Sequence, residues 1–372
     1  MAEIKKIIII ILAISLMIIP QMGCQSNIQS SNAGIYKTGF YLDTICTITI
    51  YGVDKEKSEI TGATDEERNE KINALIDQSF DLCKKYEKQL SSTISTSDVS
   101  RINQSNGQPV KVDKETIEVI KKGIYYGRLS QGAFDITIGK VTDLWDFTGN
   151  QLLSNDRDKN TVPELPNEET LKEALSHVDF NNISVNDDTV SLTDKDAKLE
   201  LGGIAKGYIA DRVAEFLEQK GVIGAVVDLG GNIVTIGGKS QDIYAEKTDD
   251  FSIGIRNPMR DDGSLLGVLK CRDKTIVTSG TYERYFEKDG VKYHHILDTK
   301  TGYPVENHII SVSVITDKGK SVDGDGLSTC CLSLGLEKGM ELIKSIDGAE
   351  AIFVDEKGKV TMSNEDMDFT LE

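Results

Sequence analysis

Apolar and polar positions alternate along this chain with two periods, and the period changes mark its elements. Residues 41–51, YLDTICTITIY, are rich in β-branched side chains and predict a strand. From 66 to 90, Ile72, Leu75, Ile76, Phe80, Leu82 and Cys83 recur at helical spacing on one side. A Ser/Thr loop at 91–98 separates that helix from a second at 114–130. Residues 149–167 are polar, carry Pro163 and Pro166, and read as a surface excursion. The segment 206–220 predicts an amphipathic helix, with Ile209, Val213, Phe216 and Leu217 on one side and Gly221 ending it. The run GAVVDL at 224–229 reads as a buried strand closed by Gly230, Gly231 and Asn232. Strands are also expected at 251–256, 265–271, 276–278 and 309–315, helices at 326–336 and 339–346, and closing strands at 351–354 and 359–362. Helices and strands mix without strict alternation, which favours an α+β fold over a doubly wound sheet. There is no internal repeat.

The N-terminus follows a different rule. Lys5 and Lys6 precede a run at 7–19 that is apolar apart from Ser15, and Gly23-Cys24 follows. The run is too short for a stable membrane span but fits the core of a signal peptide. A cysteine just after it suggests a lipoprotein signal, residues 1–23, with Cys24 lipidated after cleavage. Gln21 stands where such signals usually carry leucine, and an uncleaved membrane anchor is the other reading. Both place the rest outside the cytoplasm and attached to the membrane: a polar linker at 24–35, then one domain at 36–372.

The formal net charge of -18 argues against nucleic acid as a partner. It also means that an anionic ligand needs local positive charge from helix N-termini, a few Lys or Arg, or a divalent cation. Besides Cys24 there are Cys46, Cys83, Cys271, Cys330 and Cys331, an odd number with no CxxC pair, so buried thiols fit better than zinc or a disulfide framework.

Four clusters carry candidate chemistry. In Leu199-Glu200-Leu201-Gly202-Gly203-Ile204-Ala205-Lys206-Gly207-Tyr208, an apolar run enters a double-glycine turn and a helix leaves it. The glycines let a ligand approach the backbone, and the helix start and Lys206 suit a phosphate. In residues 321–329, Asp325 and Thr329 are four apart, so a helix beginning near Asp325 would aim both oxygens one way. Together they suit a hard ion such as Mg²⁺; Asp325 as a simple N-cap is the alternative. Asp323 and Asp325 also resemble part of a calcium loop, without the rest of one. In residues 293–304, His294 and His295 are adjacent on a strand pattern and should face opposite ways, so one of them can serve as acid, base or phosphate donor. In GAFDITIG at 132–139, followed by Trp145, the rings could wall a flavin or purine or simply pack the core. The GxGxxG, P-loop and GxSxG patterns are missing.

Taken in order, GAFDITIG, LGGIAKGY.AD, VDLGGN, IGIRNP, TSGTYERYF, HHILD..TGYP and the Asp325/Thr329 pair resemble the ApbE family, the FAD:protein FMN transferases, from about Phe40 to Asp366. The resemblance implies one T-fold-related α+β unit that binds FAD extended over a Mg²⁺ site, with Mn²⁺ as an alternative ion. It implies metal ligands at the Ala205 carbonyl, Asp325 and Thr329. It places Leu42, Ala133, Phe134, Asp135, Lys206, Tyr208, His295 and Ile296 at flavin dinucleotide contacts. Leu42 and Asp43 depart from the commoner Met and Gly, and Thr93 stands where an aromatic is frequent. Thr299 replaces the proline of the usual LDP.

The implied reaction is attack by a Thr or Ser hydroxyl of an exported redox protein on the flavin-side phosphorus of FAD, with release of AMP. His295 is the candidate base or transition-state stabiliser; Asp228 is an alternative base or a turn cap. Arg256 is a candidate phosphate contact or surface ion pair. Two other functions stay open: a Mg²⁺-dependent FAD pyrophosphatase, and a non-catalytic flavin-binding lipoprotein.

Overall fold

The computed structural model describes residues 34–54, 56, 60, 64–147, 149–150, 163–240 and 248–372. The expected signal peptide, Cys24 and nearly all of the linker lie outside the described residues, as does most of the 149–167 excursion.

Eight strands pair side by side in the order in which the chain makes them. They are β1 (Ile35–Tyr41), β2 (Thr44–Val53), β3 (Val222–Leu229), β4 (Asn232–Gly237), β5 (Lys274–Gly280), β6 (Ile309–Asp317), β7 (Glu350–Asp355) and β8 (Val360–Met362). Every neighbouring pair is antiparallel. Alternate residues of the central strands reach opposite faces, and both faces are covered, so these strands read as apolar runs rather than as clean alternation.

The rest of the molecule is inserted at the connections of this sheet. Between β2 and β3 come α1 (Asp65–Leu90), α2 (Asp98–Asn103), α3 (Lys114–Leu129), α4 (Gly139–Trp145), α5 (Glu168–Leu175) and α6 (Ala205–Gln219). Between β6 and β7 comes α7 (Ser321–Lys344). Helices α1, α3, α6 and α7 share the main core with one face of the sheet, around Ile48, Ile76, Ile120, Ile209, Val227, Val314 and Leu327. The strands Phe251–Arg256, Leu265–Cys271 and Phe369–Leu371 form a small sheet whose apolar residues pack on Ile276, Ile315 and Ile352 of the other face.

The register puts three connections at one end of the sheet: the β1–β2 turn, the β3–β4 turn, and the long β5–β6 arm spanning 281–308. That end carries the candidate site.

Most expected elements are present within a few residues, and the α+β class holds. Three differ in an instructive way. The 41–51 strand is the second half of a hairpin: Leu42 and Asp43 form its turn, both at positive φ (56° and 55°), and an edge strand precedes them. The two helices expected at 326–336 and 339–346 are both present, separated by non-helical backbone at Gly335 (φ 77°) within the span Ser321–Lys344. The first of them starts earlier than expected, at Ser321. Strand β4 was hidden behind the Gly230-Gly231 turn.

Candidate active site

Helix α6, with the turn before it, runs antiparallel to α7 and meets it along three rungs. At the first, a β-carbon placed on Gly203 would come 3.7 Å from Thr329 Oγ1 and 3.0 Å from the ring of Phe134. At the second, the Gly207 N–H donates to Asp325 Oδ2 at 2.8 Å. A β-carbon on Gly207 would meet the Ser321 carbonyl oxygen at 2.2 Å, so only glycine allows this approach. At the third, Asp211 accepts from the Ser321 and Val322 N–H groups at 2.9 and 3.0 Å. Ala205 is the first residue of α6 and sits between the first two rungs.

This arrangement corrects the N-cap reading of Asp325. The helix starts four residues earlier, at Ser321, and its own N-cap position, Lys320, makes no side-chain capping bond. Asp325 therefore lies in the second turn, with Thr329 one turn further on the same side. Asp323 points elsewhere, to Lys122 Nζ and the Tyr126 hydroxyl, so it does not pair with Asp325.

Asp325 is 3% exposed. Burial pushes its carboxyl above the usual range, while Lys206, the Gly207 N–H and the Asn232 amide favour its charged form. Thr329 Oγ1 is 3.3 Å from Ser279 Oγ, which also bonds Ser328 Oγ at 2.8 Å. A buried carboxylate beside two hydroxyls is a donor set of hard oxygens, and it fits a divalent cation such as Mg²⁺ or Mn²⁺. A second cluster, His177, Asp194 and Asp196, also brings ligand atoms together, but there His177 is already bonded through Nδ1 to Asp194 at 2.7 Å and through Nε2 to Glu173 at 3.0 Å, bonds that raise its pKa.

The facing wall is the β5–β6 arm. Its hairpin pairs Tyr285–Lys288 with Val291–His294. The His295 N–H donates to the Arg284 carbonyl at 3.1 Å, and Nδ1 lies 3.2 Å from the same oxygen. A carbonyl can only accept, so the proton is assigned to Nδ1 and Nε2 keeps its lone pair. Burial first, then Arg284 and Lys206, pushes the His295 pKa down to about 3, so the imidazole is neutral near pH 7. His294 faces the other way, is buried, donates from Nε2 to the Val305 carbonyl at 3.3 Å, and is held down to about 4, chiefly by burial. The expected division between the two histidines is thus observed.

Lys206 is the common neighbour. Its charge acts on Asp325, His295, Glu200 and Glu283, and that of Arg284 acts on the last three. Desolvation raises the carboxyl of half-buried Glu200 above its ordinary range. The helix start, Asp325 and the histidine arm therefore share one electrostatic neighbourhood.

The remaining expected residues divide. Phe134 is buried with its ring edge on Gly203, at the first rung. Ala133 precedes it in a turn whose N–H bonds return to Ser130. Leu42 sits in the strained turn of the β1–β2 hairpin, its N–H held by Glu87 Oε1 at 3.1 Å; Thr44, two residues on, fills the space where a Gly230 β-carbon would go.

Other side chains are committed locally. Asp135 accepts from the Thr137 N–H and hydroxyl and from the Phe180 N–H, and ties two loops together. The Tyr208 hydroxyl donates to Glu118 at 2.7 Å, and its ring meets Tyr86 edge-on. Ile296 packs in the main core. Asp228 accepts from the Gly231 N–H at 3.1 Å, the geometry of the turn cap. Arg256 lies over the Tyr282 ring, 5.4 Å from its centroid. Thr93 bonds Ser91.

The sequence reading did not single out Asp211, Asn232, Ser279, Glu283 or Arg284 individually. Asp211 closes the LGGIAKGY.AD motif and lies four residues after Gly207, and that helical spacing could have exposed it.

The ApbE family model matches residues 42–353. A FAD:protein FMN transferase of Treponema pallidum is 33% identical over 293 residues, covering 76% of this chain and 77% of that protein. One from Klebsiella pneumoniae is 34% identical over 296 residues, covering 78% and 85%. Among solved structures, the ApbE protein of Thermotoga maritima superposes with a TM-score of 0.72 at 29% identity, over 88% of this chain and 96% of that one. The flavin transferase ApbE of Vibrio cholerae gives 0.70 at 25%, over 88% and 96%.

Proposed function

The chain belongs to the ApbE family, and from that membership we propose that it transfers FMN from FAD to a threonine or serine hydroxyl of an exported redox protein. The single observation that supports the chemistry is the α6–α7 contact. It brings Gly203 and Gly207, which flank Ala205, against Thr329 and Asp325 across more than a hundred residues of chain, with Lys206 in the same segment.

Helix N-termini bind phosphate through backbone N–H groups and the dipole, and Lys206 adds a full charge there. Asp325, Thr329 and the Ala205 carbonyl would hold Mg²⁺ or Mn²⁺, which when bound neutralises negative charge on the pyrophosphate. His295 Nε2, neutral and with its ring fixed through Nδ1–H, accepts the proton of the incoming hydroxyl. The hydroxyl oxygen forms a bond to the flavin-side phosphorus. The bridging P–O bond to the adenylate breaks, and AMP leaves with that electron pair. Asp228 is the weaker candidate base because its carboxylate already closes the β3–β4 turn.

Incubating the protein with FAD, Mg²⁺ and a candidate acceptor should add the mass of one FMN to a threonine-bearing peptide of the acceptor. Asp325→Ala should abolish the adduct. His295→Ala should slow it about 10²–10⁴-fold, the usual contribution of a general base. Accumulation of free FMN and AMP without adduct would replace this reading with FAD hydrolysis. Lipid attachment at Cys24 completes the proposal: a fatty-acid label in cells should be lost in Cys24→Ser.

A further inference from the structure

Helix α7 carries two of the three residues assigned to the cation, yet its first turn has no cap of its own. The four leading N–H groups of a helix need acceptors from outside the helix. Lys320, at the N-cap, supplies none. Asp211 does: it belongs to α6, is 4% exposed, and takes the N–H groups of Ser321 and Val322, 110 and 111 residues away in sequence.

The same helix, one turn earlier, donates the Gly207 N–H to Asp325, and the turn that leads into it presents Gly203 to Thr329. The first turn of α7 is thus capped by α6 and not by its own sequence. On its other sides α7 packs Gly324 on Val277 and Gly326 on Tyr126, and it is held further by Asp323 to Lys122 and the Tyr126 hydroxyl and by Ser328 and Thr329 to Ser279. Mg²⁺ and Mn²⁺ need oxygen ligands placed to within a few tenths of an ångström, so a slip of α7 against α6 would separate the Ala205 carbonyl from Asp325 and Thr329.

We propose that Asp211 is a positioning residue for the cation: it touches neither ion nor substrate, but it locks α7 to α6 so that ligands from the two helices meet. The inference rests on the cation reading of Asp325 given above.

The test uses the full chain and Mn²⁺ alone, with free ion counted by electron paramagnetic resonance during titration. Asp211→Asn keeps the shape but offers one acceptor oxygen where two are used. It should weaken Mn²⁺ binding about 10–100-fold, the range for residues that orient ligands without touching the ion. Ile72→Val, which trims the core under α1, serves as a comparison for general destabilisation and should bind Mn²⁺ as the natural chain does. Asp211→Glu, which retains the charge but moves it outward by one methylene, is the second variant should the first not fold, and should also bind more weakly.

Binding by either Asp211 variant within twofold of the natural chain overturns the proposal, and so does an equal loss in Ile72→Val. A Mn²⁺ titration unchanged by Asp325→Ala would instead remove the cation site, and this inference with it.

Discussion

The two walls of the site are held in place by opposite means. On the α6–α7 wall, position comes from missing side chains. Gly203, Gly207, Gly324 and Gly326 let helices and sheet approach until backbone polar groups bond across the gap. On the histidine wall, position comes from bulk. Trp145 stacks on Phe147 with centroids 5.6 Å apart, meets Tyr303 edge-on at 5.5 Å, and lies beside Phe286 and Tyr293. Its Nε1–H donates to the Gly302 carbonyl at 2.7 Å, and the Thr299 hydroxyl ties the same loop to the Gly132 carbonyl. The first wall should therefore fail when an atom is added, the second when atoms are removed.

The larger effect belongs to the aromatic wall. Trp145 is 0% exposed at the centre of its cluster. Trp145→Ala should cost about 3–5 kcal/mol through cavity formation, and it also leaves the Gly302 carbonyl without its donor. Urea unfolding should show the loss. Mn²⁺ binding by the protein that remains folded should be nearly unchanged, because no rung of α6–α7 touches this cluster. A matching loss of Mn²⁺ affinity would mean that the walls are one mechanical unit.

The converse variant is Gly207→Ala. The added methyl overlaps the Ser321 carbonyl, and overpacking of this kind costs about 1–3 kcal/mol. Its mark should be the reverse of the tryptophan variant: a smaller loss in urea and a large one in Mn²⁺ titration. Retention of full Mn²⁺ affinity would show that α6 and α7 can part at this rung without disturbing the ligands.

The contrast also explains what could be read from the sequence. The glycine-rich turn, Lys206, the Asp325/Thr329 spacing and the opposed histidines are local patterns, and local patterns survive folding. The start of α7 was misplaced because its capping carboxylate comes from Asp211, more than a hundred residues upstream, and no periodicity reveals a cap borrowed across space. The β1–β2 turn was missed because Leu42 and Asp43 occupy positive φ where Gly or Asn is the usual sign. Asp135 and Tyr208 sit in motifs that point at a ligand, yet their polar atoms are taken by Thr137, Phe180 and Glu118. Sequence shows that such a residue is polar and near a site; only the fold shows which partner reached it first.

The smallest expected effect is a difference in the pH response of the two walls. Burial lowers His294 from 6.5 to about 4, so between those values the unfolded chain binds more protons than the folded one. Its contribution is whole above about pH 6.5 and is lost as the pH falls toward 4; His295, lowered to about 3, acts in the same direction. Asp211 is raised from 3.8 to about 6, mainly by burial, so the folded chain holds its proton longer. Its stabilising share is whole at low pH and is lost as the pH rises through 6. From pH 6.5 down to 5 the two walls therefore pull against each other. His294→Phe should remove one side, so that stability falls less on acidification than in the natural chain. Asp211→Asn should remove the other, so that it falls more. Each variant should depart from the natural chain by about 1–2 kcal/mol across that interval, in opposite directions, at 1.36 kcal/mol for each full unit of displaced titration. Urea midpoints at pH 6.5 and 5 would measure it. Parallel lines for the two variants would mean that neither group titrates differently in the folded chain, and that the walls differ in packing alone.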